Sequence, residues 1–65
     1  MRIGIDVGGT FTDLVVAKDD QPIGHFKTHS TPSDPSIGVL RGLTEISEAH
    51  GQTLDELLAD VELIV

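Results

Sequence analysis

Apolar residues recur at every second position at the start of the chain, at Ile3, Ile5 and Val7, which predicts a strand over about residues 2–7 with one buried face and Asp6 on the other. Gly8-Gly9-Thr10 interrupts that alternation, and Phe11 to Lys18, rich in β-branched and apolar residues, reads as a second strand. Asp19-Asp20-Gln21-Pro22 supplies a turn before a shorter third strand over about 23–28, with Pro22 at its start, where a missing N–H does least harm. The three strands are expected to form an antiparallel meander.

The period then changes from two to 3.6. Ile37, Leu40, Leu43 and Ile46, widened by Val39, mark one face of a helix over about 35–49, opened by Asp34 as N-cap with Pro35 in the first helical position and closed by Gly51. Gly38 and Gly42 each cost about 1 kcal/mol relative to alanine inside a helix, so their presence points to a close approach to the sheet. Their Gly-x-x-x-Gly spacing also occurs in membrane helix pairs, but Arg41, Thr44, Glu45 and Glu48 exclude an apolar span. Thr53 and Glu56 have capping-box spacing and predict a second, short helix over about 54–59. Val61 to Val65 reads as a last strand, expected to pair parallel with the first. Its composition suits an inner strand, so more of the sheet is expected beyond it.

The residues with chemical potential sit in the first interruption. Two glycines let successive backbone N–H groups turn toward one anion, and Thr10 and Thr12 add hydroxyls. Asp6 cannot hold a phosphate directly, since both are anionic; a hydrated Mg²⁺ bridging carboxylate and phosphate is the role that suits it. On spacing alone the same residues also read as an ordinary β-hairpin with a tight Gly-Gly turn. Two better-known phosphate fingerprints are absent: Thr10 stands where the G-x-x-x-x-G-K loop needs lysine, and no G-x-G-x-x-G occurs. His25 and His29 are four apart on a strand-to-loop segment and are expected to be surface or packing residues, as is Lys27, while His50 fits a helix C-terminus. Asp13 alternates to the opposite strand face from Thr12, and a structural role is expected for it.

Composition narrows the setting. Eleven acidic and four basic residues give a net charge of -7, which opposes nucleic acid and anionic membrane surfaces, so a polyphosphate would have to be held locally by amides and a cation. The 65 residues contain no cysteine, which removes disulfides and thiolate metal sites, and no signal-peptide core opens the chain; a cytoplasmic location is expected.

The order strand, Asp-x-Gly-Gly-Thr corner, strand, strand, helix, strand resembles the first phosphate segment of the actin, sugar-kinase and heat-shock-protein ATPase superfamily. Within it, Gly4-Ile5-Asp6-Val7-Gly8-Gly9-Thr10-Phe11-Thr12-Asp13 is similar to the opening of the hydantoinase and 5-oxoprolinase family, as are Lys27 to Pro35 and Gly38 to Leu43. Sugar kinases share the corner but usually carry lysine where Phe11 stands.

The resemblance implies an α/β fold, the N-terminal part of a ribonuclease-H-like (actin-like ATPase) lobe: three antiparallel strands, a helix, a short helix, then a parallel strand. It further implies ATP and Mg²⁺ as cofactors, with Asp6 holding the metal, Gly8, Gly9 and Thr10 cradling the β- and γ-phosphates, and Thr12 supporting the loop. The implied reaction is ATP-dependent opening of a cyclic amide such as a hydantoin or 5-oxoproline. ATP-dependent ketone carboxylation is the alternative within the family; a sugar-kinase-like phosphotransferase and a non-catalytic docking module are the alternatives outside it. Such enzymes complete the ATP site with distant parts of a much longer chain, so the rest of the enzyme and a second subunit are the expected partners, with a small cyclic amide or ketone as substrate.

Overall fold

The computed structural model describes residues 1–64, and the expected strand position at Val65 lies outside them. Four strands, β1 (Arg2–Val7), β2 (Phe11–Lys18), β3 (Gln21–His29) and β4 (Glu62–Ile64), form one sheet in the order β3-β2-β1-β4. The first three pair antiparallel, and β4 pairs parallel with β1. Helices α1 (Pro35–Ala49) and α2 (Leu54–Asp60) lie between β3 and β4 in the chain. This is the α/β arrangement expected from the sequence.

The β2–β3 turn is tighter than the sequence suggested. Asp19 and Asp20 both adopt left-handed backbone conformations, with φ of 51° and 62°, so Lys18 pairs directly with Gln21 across a two-residue turn. Pro22 therefore lies within β3, where the edge position tolerates its missing N–H, and the register shifts by one residue between Val16 and Ala17. That strand starts at Gln21 and not Ile23, and runs on to His29.

Seven buried residues make the core: Ile3 and Ile5 from β1, Leu14 and Val16 from β2, Leu43 and Ile46 from α1, and Leu57 from α2. Val7 departs from the expected alternation. It is 43% exposed, because it lies at the end of β1 nearest the turn, outside the core cluster. The helix face also differs from expectation: Leu43 and Ile46 are buried and Val39 packs against the core, but Ile37 and Leu40 point outward. Gly38 and Gly42 occupy the contact line instead. A Cβ on Gly42 would overlap the fully buried Leu14 side chain, and one on Gly38 would sit 3.0 Å from the His29 carbonyl oxygen. The helix comes too near the sheet for side chains there, which rotates the apolar stripe by part of a turn.

Local signals set the helix ends. Asp34 Oδ1 accepts from the Ser36 N–H and hydroxyl, and Pro35 takes the first position. At the other end Gly51, with φ of 67°, lets Gln52 N–H reach Ser47 O at 2.8 Å and Gly51 N–H reach Glu48 O at 3.1 Å, a Schellman closure. Thr53 and Glu56 exchange both capping-box bonds, at 3.0 and 3.1 Å. These bonds, the backbone one first, hold the Glu56 carboxyl below its usual value. Among the described residues, no helix is long and apolar enough to cross a membrane.

The close approach at Gly42 is open to direct test. Gly42→Ala should lower the unfolding temperature despite the gain of about 1 kcal/mol in helix propensity, because displacing buried Leu14 costs about 1–3 kcal/mol. A thermal melt of the variant equal to or above that of the parent would show that the helix sits farther from β2 than described.

Candidate functional site

The turn joining β1 to β2, Gly8-Gly9-Thr10, projects from the end of two paired strands, so the sheet fixes its base. Gly8 N–H donates to Phe11 O at 3.0 Å and closes the turn. A Cβ on Gly8 would sit 2.9 Å from that same oxygen, so only glycine fits without displacement. Gly8 therefore contributes room and closure, with its amide committed inside the turn.

Gly9 is different. Its φ is not positive, and a Cβ built on it meets nothing within 4 Å, so the fold gives no reason for glycine at this position. Among the described residues, the Gly9 and Thr10 amides and the Thr10 hydroxyl have no hydrogen-bond partner. A glycine whose missing side chain leaves open space beside free amides is a surface an external group could approach closely.

Asp6 projects from the face of β1 opposite to Ile3 and Ile5, and its carboxylate makes no hydrogen bond or ion pair among the described residues. Across the strands it pairs in register with Asp13, which pairs in turn with Lys27, so the three residues form one row on the face of the sheet without helices. Like charges directly opposite one another disfavour a strand pair, and here the opposition is offset on one side by Lys27, which faces Asp13 from β3. Asp13 is engaged, accepting from His25 Nε2 at 3.0 Å. At the end of the row, Lys27 Nζ lies 4.8 Å from the Phe11 ring centroid, and the His29 ring lies against Phe11 with centroids 4.9 Å apart and planes tilted by 31°. His25, His29 and Lys27 are exposed, and no cluster of three or more metal-ligating side chains occurs among the described residues.

Thr12 lies on the other face, fully buried, with Oγ1 3.0 Å from Ser30 Oγ. Ser30 Oγ donates to Gly8 O at 2.6 Å, so the proton in the Thr12–Ser30 bond comes from Thr12. The Thr12 hydroxyl therefore supports the turn from beneath, and Thr10 carries the free hydroxyl. Ser30 also donates its backbone N–H to Thr10 O at 2.8 Å. Sequence reasoning did not single out Ser30, although extending the Phe11–His29 pairing by one residue places it opposite Thr10.

Residues 2–64 match the family model described as the hydantoinase/oxoprolinase N-terminal region. The chain belongs to the hydantoinase/oxoprolinase family. It is 42% identical over 64 residues to the caprolactamase subunit alpha of Pseudomonas jessenii, a match covering 98% of this chain and 9% of that protein. It is 41% identical over 63 residues to the acetophenone carboxylase gamma subunit of Aromatoleum aromaticum, covering 95% of this chain and 8% of the relative. An uncharacterized protein of Methanocaldococcus jannaschii is 42% identical over 43 residues, which covers 65% of this chain and 6% of the relative. No solved structure matches significantly. The chain thus spans less than a tenth of the length of these curated relatives.

The contrast between the two glycines predicts opposite outcomes. Gly8→Ala should destabilise the protein by about 1–3 kcal/mol through the clash with Phe11 O, whereas Gly9→Ala should leave stability unchanged or raise it by about 0.4–1 kcal/mol. Denaturant unfolding of both variants checks this, and a loss at Gly9 as large as at Gly8 would mean the fold itself requires that glycine.

Proposed function

We propose that this segment is the ATP phosphate-binding part of an enzyme that opens a cyclic amide at the expense of ATP. The observation that carries the reading is the turn itself: free amides at Gly9 and Thr10, open space where a Gly9 side chain would stand, and an unengaged carboxylate at Asp6. With a net charge of -7, the chain attracts no polyphosphate at long range, so amide donors and a divalent cation are the means available to hold one.

The donor set suits Mg²⁺, which keeps several waters and needs only one or two carboxylates beside the phosphate oxygens. Asp6 would hold it, and when bound the ion would neutralise phosphate charge. The chain's own residues do the positioning. Gly9 and Thr10 amides and the Thr10 hydroxyl would orient the phosphates, Gly8 keeps the turn closed, and Thr12 supports it from below. Phosphoryl transfer depends mainly on such positioning and charge stabilisation, so a turn of this kind contributes without a nucleophile of its own.

The cyclic amide is suggested by the relative named as a caprolactamase, a match covering 98% of this chain. Ketone carboxylation is the second reading, favoured by the nearly equal identity to an acetophenone carboxylase subunit. Both relatives are named as subunits, which supports a partner subunit for this protein as well. The sheet face without helices, bearing exposed Val15 and Ile23, and the exposed edge strand β4 would be covered by the rest of the enzyme.

Asp6→Ala is expected to lower lactam-dependent ATP hydrolysis by the assembled enzyme at least about 100-fold without changing its unfolding temperature, in keeping with loss of an interaction aimed at transition-state charge. ATP hydrolysis and melting temperature are measured together. Full turnover in the variant would overturn the reading, and turnover stimulated by a ketone with bicarbonate, but by no lactam, would move it to the carboxylase.

A further inference from the structure

We infer that Ser30 is a positioning residue for the phosphate turn, an inference that rests on the ATP reading above. Ser30 lies one residue past the end of β3 and bonds the turn twice and β2 once. Its N–H donates to Thr10 O at 2.8 Å, its Oγ donates to Gly8 O at 2.6 Å, and Oγ accepts from the buried Thr12 hydroxyl at 3.0 Å.

What these bonds do follows from the planarity of the peptide unit. The peptide bonds of the turn are trans, so each carbonyl there points opposite to the N–H of the following residue. Drawing Gly8 O toward the Ser30 hydroxyl therefore turns the Gly9 N–H away from it, while the bond from Ser30 N–H to Thr10 O, made in the plane of the sheet, holds the other end of the turn against β3. Ser30 sits on the side of the hairpin that carries Thr12, whereas Asp6 alternates to the other side. The Ser30 hydroxyl thus directs the Gly9 amide toward the face from which the Asp6 carboxylate projects.

The bonds also tie the turn to α1. Thr31, next in the chain, accepts from Gly38 N–H at 2.9 Å and donates to Asp34 O at 2.6 Å, while Thr28 donates to Gly38 O at 3.1 Å. Ser30 is therefore braced through Thr28 before it and Thr31 after it, and the position of the turn is inherited from the sheet and the helix. Preorganised donors of this kind need no rearrangement when charge arrives.

Removing the Ser30 hydroxyl leaves its backbone bond to Thr10 in place but frees the Gly8–Gly9 peptide to rotate and strands the Thr12 hydroxyl. The test is the affinity of the assembled enzyme for Mg-ATP, titrated calorimetrically, beside the melting temperature of the nucleotide-free protein. Ser30→Ala should weaken Mg-ATP at least about tenfold, and Ser30→Thr, which keeps the hydroxyl, should restore most of it. If Ser30→Ala does not accumulate folded, Ser30→Cys keeps the volume while weakening both hydroxyl bonds and should show the same loss.

A purely structural role would lower the melting temperature and leave the affinity of the folded fraction unchanged, which would overturn the inference. Parental affinity in Ser30→Ala or Ser30→Cys, with Asp6→Ala impaired, would overturn it and leave the ATP reading standing. No binding of Mg-ATP to the parent enzyme would overturn both.

Discussion

Two aspartates in the left-handed backbone region, Asp19 and Asp20, set the register of β2 against β3, and that register decides what lies beside the β1–β2 turn. Lys18 meets Gln21, and the one-residue shift between Val16 and Ala17 then carries Phe11 opposite His29 and Thr12 opposite Thr28. One step further, Ser30 meets Thr10 and takes hold of the turn. Without the shift, the residue one step beyond β2 would face a different partner and every β3 side chain from residue 24 to 29 would change faces. The same register brings Thr28 and His29 to the start of α1, where Gly38 is small enough to receive them. The core on one face and the exposed Asp6–Asp13–Lys27 row on the other are two consequences of a single alignment.

Sequence alone carried the elements whose causes are local. Asp34-Pro35, Gly51 and the Thr53–Glu56 pair determine helix ends through bonds spanning five residues or fewer, and all three lie where those signals place them. The glycines of α1 were legible as a close approach, but not the rotation of the helix that follows. Ile37 and Leu40 satisfy a helical period as well as Val39 and Leu43 do, and only the overlap of a Gly42 side chain with Leu14 selects between the two stripes. The Asp19-Asp20 turn was obscured for a similar reason. Non-glycine residues rarely take positive φ, and Pro22 reads as the first residue of a strand when it lies inside one.

The turn residues were legible by type and spacing, yet their division of labour was not. Gly8 and Gly9 are equivalent on paper and opposite in the structure, one closing the turn and one facing open space. Thr10 and Thr12 divide likewise, because strand alternation sends Thr12 into the interior and its hydroxyl to Ser30. Ser30 could be found only through the register, which depends on a turn and a bulge whose sequence signals are weak. Asp6 is the simplest case: strand alternation places it on the open face, and there it has no protein partner among the described residues.

The proposed function requires that the free amides of this turn receive phosphate. Hydrogen exchange at residues 8–11, followed in the assembled enzyme with and without Mg-ATP, addresses that most directly, since an amide that acquires an acceptor exchanges more slowly. Gly9 and Thr10, exposed and without a partner among the described residues, should become strongly protected, while Gly8, already bonded to Phe11, should change little. Bound Mg-ATP with no added protection at Gly9 and Thr10 would contradict it.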